Sequence, residues 1–327
     1  MFKAIPLREA AARIACAGCA DVVMHASPDA DTLGCALAVV AVINANGGDA
    51  AVVCSDKLPA YLEFLAEGVT VSGSLRDGAV RIAVDVASPT QLGRFAAEAG
   101  TFSLMIDHHG RGEAFADNII VPDAAACGEI VFRIVEILAA DGMRIPECVP
   151  TYIYAAISGD TGSFRFANTT PETHRIAAVL HEMGADTVRV AHALHAVKTP
   201  GAVAALRLGL VNMKILCNGR LAMTSATMSE LRECGIAPGD FSEADEMRSV
   251  MGVYVGVSLR ECEPGVWRAS TRANVPVDCA AVCGIYGGGG HTGAAGCTIR
   301  AKTREEAEAM LEAPFRTAIE EYERGIG

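Results

Sequence analysis

The stretch DVVMHASPDADTLGCALAVVAVINAN, residues 21–46, decides the fold. Its first four residues, Asp21–Met24, predict a short buried strand, and the apolar run Leu33–Asn46 predicts a helix. The loop between them holds two carboxylates and a histidine. A strand followed closely by a helix is typical of βαβ units. The stretch therefore predicts an α/β fold.

The strand-then-helix pattern continues through the first half of the chain. The further predicted strands are Ala51–Cys54, Val80–Val84, Ser103–Ile106 and the run Tyr152–Ile157, and the further predicted helices are Pro89–Ala99 and Gly128–Ala140. Repeated βαβ units build a parallel sheet with helices on both faces. We therefore expect such a sheet in the N-terminal part of the protein.

The second half of the chain has a different pattern of predicted helices and strands. A helical stretch follows Thr199-Pro200, and after it come strand-like runs, a glycine cluster and an acidic helix at the C-terminus. The strand-like runs are Leu221–Thr224, Gly252–Leu259 and Val266–Thr271. Clustered strands with helices at their ends predict a smaller α+β domain. The expected organisation is a first domain at 1–195, a helical linker at 196–212 and a second domain at 213–327, with an active site in the cleft between the domains.

Composition narrows the class of protein. The 327 residues are 51% apolar and carry a formal net charge of −12, which predicts two domains with proper cores and excludes disorder. An acidic chain lacks the basic surface that holds a long nucleic acid by its phosphates, so an anionic substrate must be bound locally. Twelve scattered cysteines, a charged N-terminal segment and short apolar runs predict a reduced, cytoplasmic protein without a membrane segment.

Acidic and histidine side chains follow the predicted strands. They are His25 with Asp29 and Asp31, then Asp85, then Asp107 with His108 and His109, and finally Asp160. Because the carboxyl ends of parallel strands meet at one edge of a sheet, we expect these side chains to lie together. A single aspartate at a strand end is ordinarily a turn or helix-capping residue. Four strand ends that supply such groups to one edge favour a metal site.

The residue types indicate which metal. Carboxylate oxygens and neutral imidazoles without thiolates suit Mn²⁺ or Mg²⁺ better than Zn²⁺, and they also accommodate Co²⁺ or Fe²⁺. Such concentrated negative charge requires cations to offset it. There are more candidate ligands than one ion takes from a protein. We therefore expect two divalent cations bridged by a shared carboxylate, most naturally Mn²⁺.

Four segments together resemble the motifs of the DHH phosphoesterase family: HASPDAD, VDVASPTQLG, IDHHG and SGDTGSFRF, in that order. The sequence GGGGHTGAAG, residues 287–296, resembles the signature of the DHH-associated domain that follows in this family. The resemblance covers nearly the whole chain. Within the family it is nearest to the stand-alone oligoribonuclease (nanoRNase) and 3′-phosphoadenosine-5′-phosphate phosphatase type.

The resemblance implies a role for each residue. It assigns one ion to His25 and Asp29, the other ion to Asp31, His108 and Asp160, and a bridge between the ions, with a part in catalysis, to Asp85. His109 is expected to donate a proton to the leaving oxygen or to polarise it. The alternative is that His109 only orients His108. Asp107 is expected to support its neighbours rather than bind metal.

A second cluster is predicted in the smaller domain. Its expected substrate-binding residues are Arg272, His291, Gly288, Gly289 and Gly290, together with Arg165 from the first domain. Glycines can expose N–H groups in an anion-binding nest, although a flexible loop is the alternative. An arginine can clamp a terminal phosphate and a histidine can donate to it. His192 and His195 are interpreted as structural, because no carboxylate pattern accompanies them.

The leading hypothesis is a cytoplasmic, Mn²⁺-dependent phosphoesterase. It would release mononucleotides from oligoribonucleotides a few residues long and dephosphorylate 3′-phosphoadenosine 5′-phosphate to AMP. The alternatives are a phosphodiesterase for cyclic-di-AMP or linear dinucleotides, a pyrophosphatase or polyphosphatase, and a nucleotide-binding regulator without catalysis. The implied partners are short RNA oligonucleotides or nucleotide phosphates and a second copy in a homodimer, but neither long nucleic acid nor a membrane.

Overall fold

The computed structural model describes residues 2–325 and divides into two compact units, Met1–Val197 and Lys198–Gly327. The segment predicted as a linker contains the helix Pro200–Val211. Ala205 and Leu208 of this helix are buried with Phe241, so the helix is part of the core of the second unit. Each unit is described separately below.

The first unit combines six strands and six α-helices within the described residues. The strands are β1 (Cys19–Val23), β2 (Asp49–Val53), β3 (Val71–Ser72), β4 (Val80–Val84), β5 (Leu104–Asp107) and β6 (Asn118–Ile120). The helices are α1 (Leu7–Ala15), α2 (Ala30–Ala45), α3 (Cys127–Ala140), α4 (Val149–Asp160), α5 (Pro171–Glu182) and α6 (Thr187–Ala191).

All six strands pair in parallel in the order β3-β2-β1-β4-β5-β6. The chain adds strands on one side of β1 and then returns to add the rest on the other side, so the strand order reverses between β1 and β4. The predicted parallel sheet is confirmed. In open α/β sheets, ligands bind outside the carboxyl ends of the strands at this point of reversal.

The two faces of the sheet are covered differently. Successive side chains of a strand point to opposite faces, and Val22 and Ile82 accordingly share a core with helices α1 to α5. Val23 and Ala83 point the other way, into a core that includes Phe95. Phe95 belongs to Pro89–Thr101, which was predicted as an α-helix but forms 3₁₀ turns broken at Gly93, where φ is +61°.

Helix α2 is the centre of the larger core. It begins at Asp29, whose carboxylate accepts hydrogen bonds from the N–H groups of Asp31 and Thr32 and so caps the helix. A helix that is apolar all round must be buried on all sides, and α2 packs closely against α4. At Gly34 the contact is so close that a Cβ would lie 2.3 Å from the carbonyl oxygen of Tyr152.

The predicted strand Tyr152–Ile157 is wrong, because these residues lie inside helix α4. A short apolar run is compatible with either a buried strand or a buried helix. Here the small residue Ala156 fits against Gly34 of α2, which favours the helix. Asp160 is therefore the last residue of a helix and does not follow a strand.

The second unit is built on a mixed sheet. In chain order its elements are α7 (Pro200–Val211), β7 (Lys214–Leu216), β8 (Leu221–Ala226), α8 (Met228–Glu233), α9 (Ala244–Arg248), β9 (Val255–Glu263), β10 (Val266–Ala273), α10 (Cys279–Gly284), β11 (Gly289–His291), β12 (Ala294–Arg300) and α11 (Arg304–Glu323). The strand order is β11-β12-β10-β9-β8-β7, with β8 and β9 parallel and the other pairs antiparallel. The predicted α+β architecture is confirmed.

Helices α10 and α11 cover one face of the second sheet. Trp267 of β10 is buried there with Leu311 and Phe315 of α11, and its indole N–H donates to the carbonyl of Ala301. Full burial of one such aromatic or aliphatic side chain stabilises a fold by about 1.5–3 kcal/mol. Across residues 2–325, the structure contains no helix with both the length and the apolar character that crossing a bilayer requires.

Candidate metal centre

The site lies at the carboxyl ends of the first sheet, where the strand order reverses. His25 follows β1 by two residues, Asp85 follows β4 directly, and Asp107 is the last residue of β5. Parallel pairing of β1 with β4 and of β4 with β5 brings these three strand ends together. The sheet therefore supplies one side of the site.

Two helix N-termini hold the carboxylate of Asp31. It lies in the first turn of α2 and is fully buried. It accepts hydrogen bonds from the N–H groups of Cys127 at 2.7 Å and Gly128 at 2.9 Å, in the first turn of α3. Positive ends of helix dipoles favour a carboxylate in such a place. The carboxylate of Asp31 is thereby fixed in position deep in the protein.

Asp85 occupies the middle of the site with an unusual backbone. Its φ is +57°, a left-handed conformation that aspartate tolerates better than most residues. Its N–H donates to the carbonyl of Ile106 at 2.8 Å, which holds the residue over β5. Its carboxylate lies between two imidazoles, with Oδ2 3.4 Å from His25 Nε2 and Oδ1 3.6 Å from His108 Nε2. Asp85 can therefore serve two neighbouring ligand groups.

The two imidazoles are oriented by backbone carbonyls. His25 Nδ1 lies 2.7 Å from the carbonyl oxygen of Ala26, and His108 Nδ1 lies 3.1 Å from that of Ala124. Since a carbonyl only accepts, each Nδ1 carries a proton and donates it. The Nε2 atom of a neutral ring is then free to bind a metal, an arrangement common among metal-ligating histidines.

Three groups of side chains bring their ligand atoms within 4.8 Å of one another. They are His25 with Asp29 and Asp85, Asp31 with His108 and Asp160, and Asp85 with His108 and His109. All six residues predicted as ligands are among them. Asp85 and His108 belong to more than one group, so the groups are continuous.

These residues fit a divalent metal. Asp85 Oδ1 and His108 Nε2 are buried and have no hydrogen-bond partner, and leaving buried polar atoms without partners costs about 1–3 kcal/mol each. Both atoms point into the clusters that a cation would join. Carboxylate oxygens with imidazole nitrogens are ligands that hard-to-borderline divalent ions accept.

The protonation of the site reflects its surplus of negative charge. Burial lowers the pKa of His25, but the neighbouring carboxylates of Asp29 and Asp85 outweigh burial and raise it to about 11. Burial likewise opposes protonation of His108, whose pKa nevertheless rises to about 10 beside Asp160. Burial raises the pKa of Asp31 far above its usual range, and the charges of Asp85 and Asp160 add to this rise. In the protein alone, protons balance the charge that metal ions balance when they bind.

His109 is placed differently from His108. Its side chain is 41% exposed, and its Nδ1 lies 2.7 Å from Oδ1 of the buried Asp107 and 3.7 Å from Asp85 Oδ1. The hydrogen bond to Asp107 raises the pKa of His109. Asp107 thus orients His109 and favours its protonated form, next to the cluster and open to solvent.

The sequence is similar to that of known proteins over most of the chain. Residues 21–157 match the model of the DHH family, N-terminal domain. The protein named bifunctional oligoribonuclease and PAP phosphatase NrnA, from Thermus thermophilus, is 30% identical over 297 residues, which span 89% of this chain and 88% of that protein. The chain belongs to the DHH family. It is a hydrolase of the phosphoesterase kind that defines this family.

Two further comparisons extend the family. The cyclic-di-AMP phosphodiesterase GdpP of Geobacillus thermodenitrificans is 26% identical over 322 residues, which span 92% of this chain but only 47% of GdpP. The crystal structure of an exopolyphosphatase-related protein from Bacteroides fragilis superposes with a TM-score of 0.83 at 21% identity, covering 96% of this chain and 97% of that one. The superposition shows that the two proteins share a fold.

In the second unit, Arg272 and His291 lie in register across three strands. Arg272 of β10 and His291 of β11 are both paired with Ala294 of β12, so their side chains share one face of the sheet with only a methyl group between them. Arg272 Nε also lies 3.3 Å from Asp245 Oδ2. The two predicted phosphate-binding side chains therefore lie on one face of the sheet, on the two strands that flank β12.

The glycine cluster is largely part of the fold. The N–H of Gly288 donates to the carbonyl of Cys283 at the end of α10, so this amide is not free to bind an anion. A Cβ at Gly288 would lie 2.3 Å from the carbonyl oxygen of Gly296. Gly289 and Gly290 belong to strand β11 and pair with β12. The run predicted as an anion nest or a flexible loop is therefore mostly a close-packed turn and strand.

His195 lies nearer to the cluster than its structural interpretation suggested. Its ring lines a small cavity together with Asp29 and Asp160, two of the predicted metal ligands. Arg165 is close enough for its charge to lower the pKa of His195, although burial lowers it more. No carboxylate pattern accompanies His195 in the sequence, and it reaches the cavity from a turn far along the chain.

Proposed function

We propose that the protein hydrolyses short oligoribonucleotides to mononucleotides and 3′-phosphoadenosine 5′-phosphate to AMP. The observation that carries the proposal is the set of ligand groups that Asp85 and His108 link together, in a chain 30% identical to a protein named for these two activities. The acidic chain, with net charge −12, supports a short substrate, since a long one needs an extended basic surface.

We propose two divalent cations, most naturally Mn²⁺, with Mg²⁺ or Co²⁺ as substitutes. His25 and Asp29 would hold one, Asp31, His108 and Asp160 the other, and Asp85 would contact both. When bound, such cations supply an activated water at neutral pH and offset the charge on phosphoryl oxygens. We propose the cytoplasm as the cell compartment, because a chain with twelve free cysteines suits a reducing environment.

The remaining steps fall to side chains of this protein. Asp107 Oδ1 accepts the Nδ1 proton of His109, which leaves a proton on the opposite nitrogen when the ring is charged. We assign that proton to the oxygen that leaves phosphorus, because His109 is a histidine that lies beside the cluster and is open to solvent. Thr32 Oγ1 donates to the carbonyl of Val84, which ties the start of α2 to the end of β4 and keeps Asp31 next to Asp85.

Arg272 and His291 would bind a phosphate of the substrate. Their alignment on one sheet face gives an anion two donors, and Asp245 limits the rotation of the guanidinium. Of the glycines, Gly289 and Gly290 remain candidates for close backbone approach. Arg165 is exposed and lies beside the cavity of His195, where it would contribute positive charge near the substrate.

A Mn²⁺-dependent assay tests this function. Diadenylate, 3′-phosphoadenosine 5′-phosphate, cyclic-di-AMP and pyrophosphate are offered at equal concentration, and products are separated by chromatography. We expect diadenylate to be cleaved to AMP and 3′-phosphoadenosine 5′-phosphate to be dephosphorylated. Turnover of pyrophosphate with none of diadenylate would overturn the proposal.

The second candidate is hydrolysis of cyclic-di-AMP. The similarity to GdpP, which extends over 92% of this chain, is the observation that favours it. In the same assay, cleavage of cyclic-di-AMP faster than diadenylate would make this the main activity.

A further inference from the structure

A small cavity in the first unit lies beside the six candidate metal ligands, which are called the metal cluster below. Its open volume is about 180 Å³, and its walls include Tyr61, Leu194 and His195. Asp29 and Asp160, one from each of two ligand groups, form its acidic edge. A molecule in this cavity would therefore contact the metal cluster directly.

Two irregular turns supply the rings of the cavity. Tyr61 lies on the 3₁₀ turn Ala60–Leu62, and His195 lies on the π-helical turn His192–Ala196. The two turns pack against each other. The π turn is closed by the N–H of Val197, which donates to the carbonyl of His192 at 3.0 Å. The wider turn reorients the side chains that follow α6, and such turns occur often at functional sites.

The rings of His195 and Tyr61 can receive a ligand, because His195 is anchored and Tyr61 is exposed. His195 Nε2 forms a hydrogen bond of 2.9 Å with the hydroxyl of Ser158, a buried residue of α4. Burial lowers the pKa of His195, and the charge of Arg165 lowers it further, so the ring is neutral at pH 7. Tyr61 is 48% exposed, so part of the residue is not covered by the protein. Neither ring is committed to the core.

The chemistry of the cavity favours a nucleobase over a phosphate. Tyrosine and histidine rings are surfaces on which RNA bases stack, with a contribution that tolerates any base. A carboxylate oxygen of Asp29 or Asp160 that binds no metal can accept a hydrogen bond from the amino group of a base, whereas a phosphate offers no such donor. The volume is below that of a site for a whole dinucleotide and suits one ring system.

We propose that this cavity binds the base of the nucleotide whose phosphate is hydrolysed at the metal cluster, with Tyr61 and His195 as its stacking surfaces. The inference rests on the proposed function and adds a preference to it. Substrates with a base are selected over phosphates without one. The preference belongs to the first unit alone and needs no contribution from Arg272 or His291.

The test compares diadenylate with an abasic analogue that keeps the same sugar–phosphate chain. The measured quantity is the ratio of kcat/KM for the two substrates. In Tyr61→Ala we expect this ratio to fall about five- to 100-fold, mainly through a higher KM for diadenylate, since loss of one stacking contact has this range of effect. Tyr61→Phe keeps the ring and should restore the ratio. His195→Ala should lower it as well.

His192→Ala is the matched control, because His192 lies on the same π turn but is exposed and does not line the cavity. It should keep the wild-type ratio. A second measurement does not require hydrolysis of the abasic analogue. In it, AMP and ribose 5-phosphate are compared as competitive inhibitors. Wild-type protein should bind AMP at least about fivefold more tightly, and Tyr61→Ala should lose this difference.

The outcomes separate the two proposals. If wild-type protein cleaves diadenylate and the ratio is the same in Tyr61→Ala, His195→Ala and wild type, the base-binding assignment is wrong and the function stands. If wild-type protein cleaves neither diadenylate nor its abasic analogue, the proposed function fails and the base-binding assignment falls with it. Thermal unfolding of each variant shows whether a lost ratio comes from an unfolded protein, and a ratio lost without unfolding supports the assignment.

Discussion

In the first unit the candidate ligands Asp31 and Asp85 are buried and fixed by backbone contacts, whereas in the second unit Arg272 and His291 lie on an accessible face of a sheet. Buried charges without enough partners require a cation, and their geometry exists before any ligand arrives. Side chains on an accessible face are solvated, so they cost little folding free energy when no ligand is bound. The first arrangement fits chemistry at a fixed point, and the second fits capture of a substrate end.

The largest effect should come from removing the shared carboxylate. Asp85→Asn keeps the shape of the side chain but removes a negative charge from the middle of the cluster. We expect hydrolysis of diadenylate to fall by about a thousandfold or more. Initial rates with saturating Mn²⁺ measure this. Activity within tenfold of wild type would contradict the central position of Asp85.

His109→Asn separates the two interpretations of this residue. If His109 donates the proton to the leaving oxygen, kcat should fall about 100-fold or more while bound metal is unchanged. Asp107→Asn should give a smaller loss, about 10- to 100-fold, because it only misorients the ring. Metal content of the purified variants is measured beside kcat. Loss of metal from His109→Asn would make His109 a ligand, as its group with Asp85 and His108 allows.

Arg272→Ala tests the accessible face of the second unit. Loss of a charged hydrogen-bond donor to phosphate costs about 1.5–3 kcal/mol, so KM should rise at least about tenfold, with a smaller change in kcat. Arg324→Ala, at the end of the C-terminal helix α11, is a control of equal charge that should behave as wild type. An unchanged KM in Arg272→Ala would remove Arg272 from the substrate-binding surface.

The smallest effect concerns stability in the glycine cluster. Gly288→Ala should destabilise the protein by about 1–3 kcal/mol, because its Cβ would overlap the carbonyl of Gly296. Gly289→Ala is the matched control, since nothing lies within 4 Å of a Cβ there. Chemical unfolding curves of the two variants give the difference. Equal stability would mean that the turn is loose enough to rearrange around a ligand.

Sequence alone was enough to predict the parallel sheet and the residues that gather at its edge. Strands such as Val80–Val84 are short, contain β-branched residues and are followed by a polar residue, here Asp85. A local stretch of sequence is therefore enough to recognise them. The run Tyr152–Ile157 lacks such a distinguishing feature, and only the packing of Ala156 on Gly34 decides for a helix. In this case the error was harmless, because Asp160 still reaches the cluster.

The surroundings of the site were less predictable. Tyr61 and His195 come together through two irregular turns about 130 residues apart, and hydrophobic periodicity carries no information on such contacts. The glycine cluster was ambiguous for a different reason. Glycine permits both an open anion nest and close packing, and the contacts of Gly288 with β12 show that packing uses it here.

The number of ions bound at the cluster tests the account most directly. Equilibrium dialysis of wild-type protein against Mn²⁺, followed by elemental analysis, should give two ions per chain, and Asp85→Asn should retain at most one. Two ions in the variant, or a single ion in the wild type at saturation, would contradict a two-metal centre organised by Asp85.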